Sequence, residues 1–206
     1  MDSEQKKLVV IVPGSRTKEV RIPLIRMLMQ SFYSHFGVDE TGDEWVQALH
    51  EHLEDETTDV VIFTWSGGIS PIATGRAAKR LRTFLEEQKD REIILFTKSL
   101  GGVVAEKALK DGGIHVLKLI QVATPHFRFR RKLENTEVIN IYSPEDTYHT
   151  LAHKVLFLGM GTFDVPHAQN IALSGIMHSG FNYDNEIVYK GKTQSLFDLY
   201  KEIVDN

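Results

Sequence analysis

The chain has 206 residues, of which 42% are hydrophobic and 25% charged, with a formal net charge of −4 and no cysteine. That length suits one domain, residues 1–206, with a sizeable buried core. The lack of cysteine excludes disulfides, thiolate nucleophiles and cysteine-ligated metals, and the mildly acidic balance gives no reason to expect nucleic acid as a partner.

The start, Met1 to Lys7, is polar, and the apolar run after it spans only Leu8 to Val12. No secretory signal fits there and no apolar run is long enough to cross a bilayer, so the expected location is the cytoplasm. Leu8 to Val12 is continuous, apolar and β-branched, the pattern of a strand buried on both faces. It stops at Pro13-Gly14-Ser15. Residues 20–54 are the least regular part: Ile22-Pro23 can open a helix, and Trp45, Leu49 and Leu53 recur at helical spacing. This stretch is a candidate lid or pocket wall; equally, its helices would simply cover a sheet.

Val60 to Phe63 is the second buried run, ending in Thr64-Trp65-Ser66-Gly67-Gly68. From Gly75 the apolar positions Ala77, Ala78, Leu81, Phe84 and Leu85 describe an amphipathic helix. The third strand, from Ile93, runs abruptly into Ser99-Leu100-Gly101-Gly102 and then into a helix-forming run that closes at Gly112-Gly113. The fourth, Val116 to Val122, leads to Ala123-Thr124-Pro125-His126, and a basic, aromatic-laced loop follows. The fifth, Val138 to Tyr142, leads to Ser143-Pro144-Glu145-Asp146. The last, Asn170 to Ser174, precedes Met177-His178, and a C-terminal helix buries Leu196, Leu199, Tyr200 and Ile203. His149 and His153 stand four apart, but with no zincin glutamate and no third ligand they do not make a metal site. No metal and no cofactor are expected.

Six buried runs alternating with helical patterns predict an α/β fold, a mostly parallel, doubly wound sheet of about six strands with helices on both faces. Loops at the carboxyl ends of such strands gather the binding residues. Strand, Ser99, Leu100, Gly101, Gly102, helix is the grammar of a nucleophile elbow, in which the serine projects above the sheet and faces a helix N-terminus.

On that motif the chain resembles the α/β-hydrolase superfamily, in particular its compact lipase- and esterase-like members. It looks like a minimal version without the family's usual first strands. One departure is Thr97, which stands where the Gly-x-Ser-x-Gly motif has its first glycine; a β-branched residue there is expected to crowd the turn. The resemblance implies a serine hydrolase that cleaves carboxylic esters through an acyl-enzyme. Ser99 is then the nucleophile, His178 the base and Asp146 the acid, in the chain order that the superfamily uses, with Glu145 and His126 as the second choices for acid and base. Asp164 and His167 precede the last strand and are expected at its amino edge.

The amides of Leu100 and Ser15 (Gly14 as second choice) would form the oxyanion hole, and Gly14, Trp65 and His126 would line the substrate pocket. The expected partner is a small-molecule ester, with no nucleic acid and no integral membrane segment; oligomeric state is not legible. A different reading is a catalytically silent binding protein on the same fold. Thr97 and the missing histidine before Gly14 speak for it.

Overall fold

Each of the six apolar runs forms a strand; the four inner ones are buried along nearly their whole length, as β-branched residues without polar alternation require, while the two at the edges of the sheet keep exposed positions. The computed structural model describes residues 6–15, 44–127, 132–148, 150 and 161–206. Within these, β1 is Lys7–Val12, β2 Thr58–Ile62, β3 Ile93–Lys98, β4 Lys118–Val122, β6 Glu137–Tyr142 and β8 Gln169–Ala172. They form a six-stranded sheet in the order β2-β1-β3-β4-β6-β8. Every pairing in it is parallel, with registers such as Leu8↔Ile93, Ile94↔Lys118 and Ile139↔Gln169.

The helices lie on both faces. One face carries α2 (Pro71–Glu87) and α3 (Leu100–Leu109), whose Leu81, Leu85, Val104 and Ala108 pack on Leu8, Val10 and Leu95. The other carries α1 (Glu44–Leu53) and the C-terminal α4 (Leu196–Asp205), whose Val46, Leu49, Leu199 and Tyr200 cover Val9, Ile11, Ile94 and Phe96. Of the stretch 20–54, residues 20–43 lie outside the described residues; α1 lays Val46, Leu49 and Leu53 on the sheet. The helix read from Gly75 begins earlier, at Pro71. Ser70 caps it by accepting from the Ala73 amide, and proline suits a first turn that has no partner for its N–H.

Two small pairings were not expected. An antiparallel hairpin joins β9 (Glu186–Tyr189) to β10 (Lys192–Ser195), and β5 (His126–Phe127) pairs antiparallel with β7 (Gly161–Thr162). The hairpin turns through Lys190 and Gly191, both at positive φ, as a two-residue turn matched to strand twist requires.

The strand order has a consequence for function. From β1 the chain steps outward to β2, then crosses back to β3 and continues the other way through β4, β6 and β8. The direction therefore reverses between β1 and β3. In open α/β sheets a crevice forms outside the carboxyl ends of the strands at such a reversal. The residues that leave those two ends are Pro13-Gly14-Ser15 and Ser99.

Candidate active site

Ser99 joins β3 to α3 with φ 50° and ψ −127°, a conformation that an L-residue adopts at a cost of roughly 1–3 kcal/mol. Its neighbours make the turn compulsory. A Cβ on Gly101 would overlap the Val12 carbonyl oxygen and stand 2.7 Å from that of Pro13, and one on Gly102 would overlap the Thr124 side chain. The helix thus sits directly on the end of β1, and only glycine permits that approach. The Ser99 amide donates to Val122 O at 2.9 Å, which ties the turn to β4 as well.

Thr97 does not crowd this turn. It is fully buried and points its hydroxyl at the neighbouring strand, donating to Ile120 O at 2.9 Å. The close approach falls at Gly101 instead.

Gly14 lies against the serine: a Cβ placed there would stand 3.0 Å from Ser99 Cβ and 3.7 Å from its Oγ. Ser15 follows, half-buried. Leu100 is the first residue of α3, so its N–H is one of those the helix itself leaves without an acceptor. Trp65 braces this loop rather than facing open space. It is 3% exposed and its indole donates to Pro13 O at 2.8 Å.

Asp146 and His178 come together from the loops after β6 and β8. Nδ1 of His178 donates to Asp146 Oδ2 at 2.8 Å, and both side chains are buried. With Nδ1 so engaged, the neutral ring carries its lone pair on Nε2. The Tyr148 ring lies 4.4 Å from the imidazole, centroid to centroid. Burial pushes His178 below its ordinary value of 6.5; the hydrogen bond it donates to Asp146 opposes this and the charge of Lys98 adds to it. Among the hydrogen bonds of the described residues none joins the Ser99 hydroxyl to the ring; such contacts in a free enzyme often tighten only around substrate. Glu145 takes no part. Its carboxylate accepts from the Ser143 hydroxyl at 2.9 Å.

No protein-family model matches the chain, and no curated protein sequence does either. Solved structures do. A predicted CIB-like hydrolase from Thermoplasma acidophilum superposes with a TM-score of 0.56 at 12% identity, covering 99% of this chain and 86% of that one. SOBER1 of Arabidopsis thaliana gives 0.56 at 8% identity over 97% and 98% of the two chains. Est1E from Butyrivibrio proteoclasticus gives 0.52 at 12% identity over 98% and 86%. The chain has the α/β-hydrolase fold.

Within this hydrolase fold, His126 is placed differently from the expectation that it lines the pocket. Ala123, at φ 47°, turns the chain back after β4, and the β5–β7 pairing holds it there. His126 is 1% exposed, with Nδ1 3.2 Å from Glu106 Oε1 and Nε2 3.2 Å from Asn140 Oδ1. Both nitrogens are thereby occupied in a network beside α3. Asp164 and His167 also stay apart from the Asp146–His178 pair; Asp164 accepts from the Tyr142 hydroxyl at 2.7 Å. His149 and His153 lie outside the described residues, and among those described no cluster of three metal-binding side chains occurs. No described helix is long and apolar enough to cross a membrane. An open groove of about 520 Å³ between β2 and α2, walled by Phe63, Arg80 and Phe84, contains none of the candidate residues.

One residue that sequence reasoning missed is Lys98, the residue before the serine. It is buried, and its ammonium lies 5.6 Å from the centroid of the Trp45 ring. Its signal in the sequence was a lone charge ending an otherwise apolar strand.

Proposed function

We propose that the chain is a serine hydrolase that cleaves carboxylic esters through an acyl-enzyme. The observation that carries this reading is a serine held at positive φ between strand and helix, at the sheet's point of reversal, together with a buried His178–Asp146 hydrogen bond. A serine hydroxyl is a weak nucleophile, so a neutral imidazole must take its proton during attack. His178 is suited to this because burial disfavours its charged form. Nε2 would accept the Ser99 proton as Oγ bonds to the ester carbonyl carbon, and would return it to the departing alcohol. Asp146 would hold the tautomer and stabilise the transient imidazolium. Water would then be activated by the same nitrogen and release the acid, regenerating Ser99.

The developing oxyanion would be met by the amides of Leu100 and Ser15, one from the start of α3 and one from the loop after β1. Loss of one such donor typically costs roughly a hundredfold to a thousandfold in turnover. Gly14 would form the pocket wall next to the serine, since any side chain there would press on Ser99. The likeness to Est1E and to the Thermoplasma hydrolase supports the fold on which this chemistry is built, and the substrate is proposed from the site alone.

The test is labelling with a fluorophosphonate probe and turnover of short-chain p-nitrophenyl esters. Wild type is expected to do both and Ser99→Ala neither. Labelling that persists in Ser99→Ala overturns the assignment. A protein inert to the probe and to a broad ester panel favours the silent binding protein, which the missing hydrogen bond between Ser99 and the ring would then explain.

A further inference from the structure

β2 ends the sheet on its side: it pairs with β1, and among the described residues no strand lies beyond it. Along a parallel strand the backbone groups of successive residues point alternately to its two sides. Thr57 and Phe63 turn theirs toward β1, Thr57 O accepting from the Lys7 amide at 3.0 Å and the Phe63 amide donating to Ile11 O at 2.9 Å. Val60 and Ile62 have the other parity, so each presents an N–H and a C=O to the open side. Such an edge is a template for another strand, and proteins usually blunt it with a charge or a proline. Val60-Val61-Ile62 has neither, and Val61 is 37% exposed. β8, at the opposite edge, exposes Gln169, Asn170 and Ala172 instead.

The groove of about 520 Å³ runs along this edge. Its floor is apolar: Val61 and Phe63 project toward α2, and the Phe63 ring lies 6.5 Å from that of Phe84. Its rim is cationic. Lys79 and Arg80 are exposed, with the Arg80 guanidinium 5.8 Å from the Phe63 ring centroid. Among the described residues neither cation meets a carboxylate, whereas Arg82 on the same helix is held by Glu86 at 3.1 Å. Glu87, the last residue of α2, is the one carboxylate in the walls. A cationic rim on a chain of net charge −4 selects an anionic occupant. It also argues against a second copy of the chain. Two β2 edges paired about a two-fold axis would bring Lys79 and Arg80 of both copies to one face of the seam, where like charges repel.

We propose that the open edge of β2 is a docking site for an extended acidic segment of a partner protein. The segment adds a strand beside Val60 and Ile62, seats an apolar side chain on Phe63 and Phe84, and brings a carboxylate to Lys79 and Arg80. In strand addition the main-chain bonds supply affinity and alternate side chains supply specificity. Side chains two apart share a face, so the face turned to α2 carries the apolar residue and the carboxylate in alternate positions. The inference is independent of the hydrolase reading, since no candidate catalytic residue lines the groove.

The experiment titrates the full chain with a fluorescent synthetic peptide, Thr-Val-Thr-Glu repeated, and with the same peptide carrying lysine for glutamate. Anisotropy reads affinity, and backbone NMR reads the amides of Val60 and Ile62. The glutamate peptide should bind and shift both amides, and the lysine peptide should not. Reversing both cations, Lys79→Glu with Arg80→Glu, should weaken binding by about tenfold or more. Ile62→Pro removes an outward N–H without touching the ladder to β1 and should weaken it too. Circular dichroism checks that each variant folds, and the charge reversal, on an exposed helix face, decides the matter if the proline variant does not. Equal binding of the lysine peptide, undiminished binding to the charge-reversed protein, or shifts that spare Val60 and Ile62 overturn the proposal. So does a glutamate peptide that fails to bind at millimolar concentration. If sedimentation then shows a dimer that Ile62→Pro dissolves, the edge belongs to a second copy instead.

Discussion

His178 and Asp146, 32 residues apart in the chain, meet through a 2.8 Å hydrogen bond in which both side chains are buried. A buried carboxylate that accepts from an imidazole fixes which ring nitrogen carries the hydrogen, and so which one is left as a base. Asp146→Asn removes that instruction while keeping the shape. Turnover of a short-chain ester should fall by roughly ten-thousandfold with the circular dichroism spectrum unchanged. A loss of less than about tenfold would mean that the pair does not serve Ser99.

The direction in which His178 is shifted predicts a pH profile. Burial holds the ring below its ordinary 6.5, the hydrogen bond donated to Asp146 opposing and the charge of Lys98 adding to burial. The neutral base therefore persists below pH 6.5, and kcat/KM should stay on its plateau there before falling. The same shift has a sign for stability: the unfolded chain binds this proton more readily, so the fold loses stability as pH drops through and below 6.5. An acid limb centred at or above 6.5 for an ester without a titrating leaving group would contradict the assignment of His178 as the base.

Gly101 and Gly75 provide a matched pair. A methyl group at Gly101 runs into the carbonyl oxygens of Val12 and Pro13, which are backbone and cannot step aside, whereas one at Gly75, inside α2, meets nothing within 4 Å. Gly101→Ala should destabilise by about 3 kcal/mol or more, in the range of overpacking and backbone displacement. Gly75→Ala should stabilise by roughly 0.5–1 kcal/mol through helix propensity and a less disordered unfolded chain. Urea unfolding of the two variants measures both. Equal stability of Gly101→Ala and wild type would show that α3 does not sit on the end of β1.

Lys98 predicts an unusual alkaline gain. Its folded value of about 8 lies below the ordinary 10.5, because burial penalises the ammonium more than Asp146 rewards it. The unfolded chain therefore binds the proton more readily, and stability rises as pH climbs from 8 to 10.5. For this 7%-exposed side chain the gain is on the order of 3 kcal/mol. Unfolding free energies at pH 7.5 and 10.5 should converge between wild type and Lys98→Met by that amount. Parallel pH dependences in the two proteins would show that the lysine is not buried as a cation.

By itself the sequence determined the six strands, the order in which they come, and the loops that leave their carboxyl ends. Continuous β-branched runs report burial on both faces, and burial is a local property of each run. The strand–serine–glycine–glycine–helix turn was legible for the same reason, since its constraint lies within a few residues. Only the tertiary structure decided which strands neighbour which, and hence that the sheet reverses between β1 and β3, beside Ser99. It also drew His126 down beside Glu106 and Asn140, and accommodated Thr97 through a bond to Ile120 on the next strand. The hairpin at Lys190-Gly191 had its turn glycine in plain sight, but its strands are short and mostly polar, so periodicity was silent. The burial of Lys98 beneath Trp45 had the least local trace. Hydrophobic pattern tells a side chain whether it leaves water, while the charges it meets there are contributed by segments far along the chain, and those are brought into range only by folding.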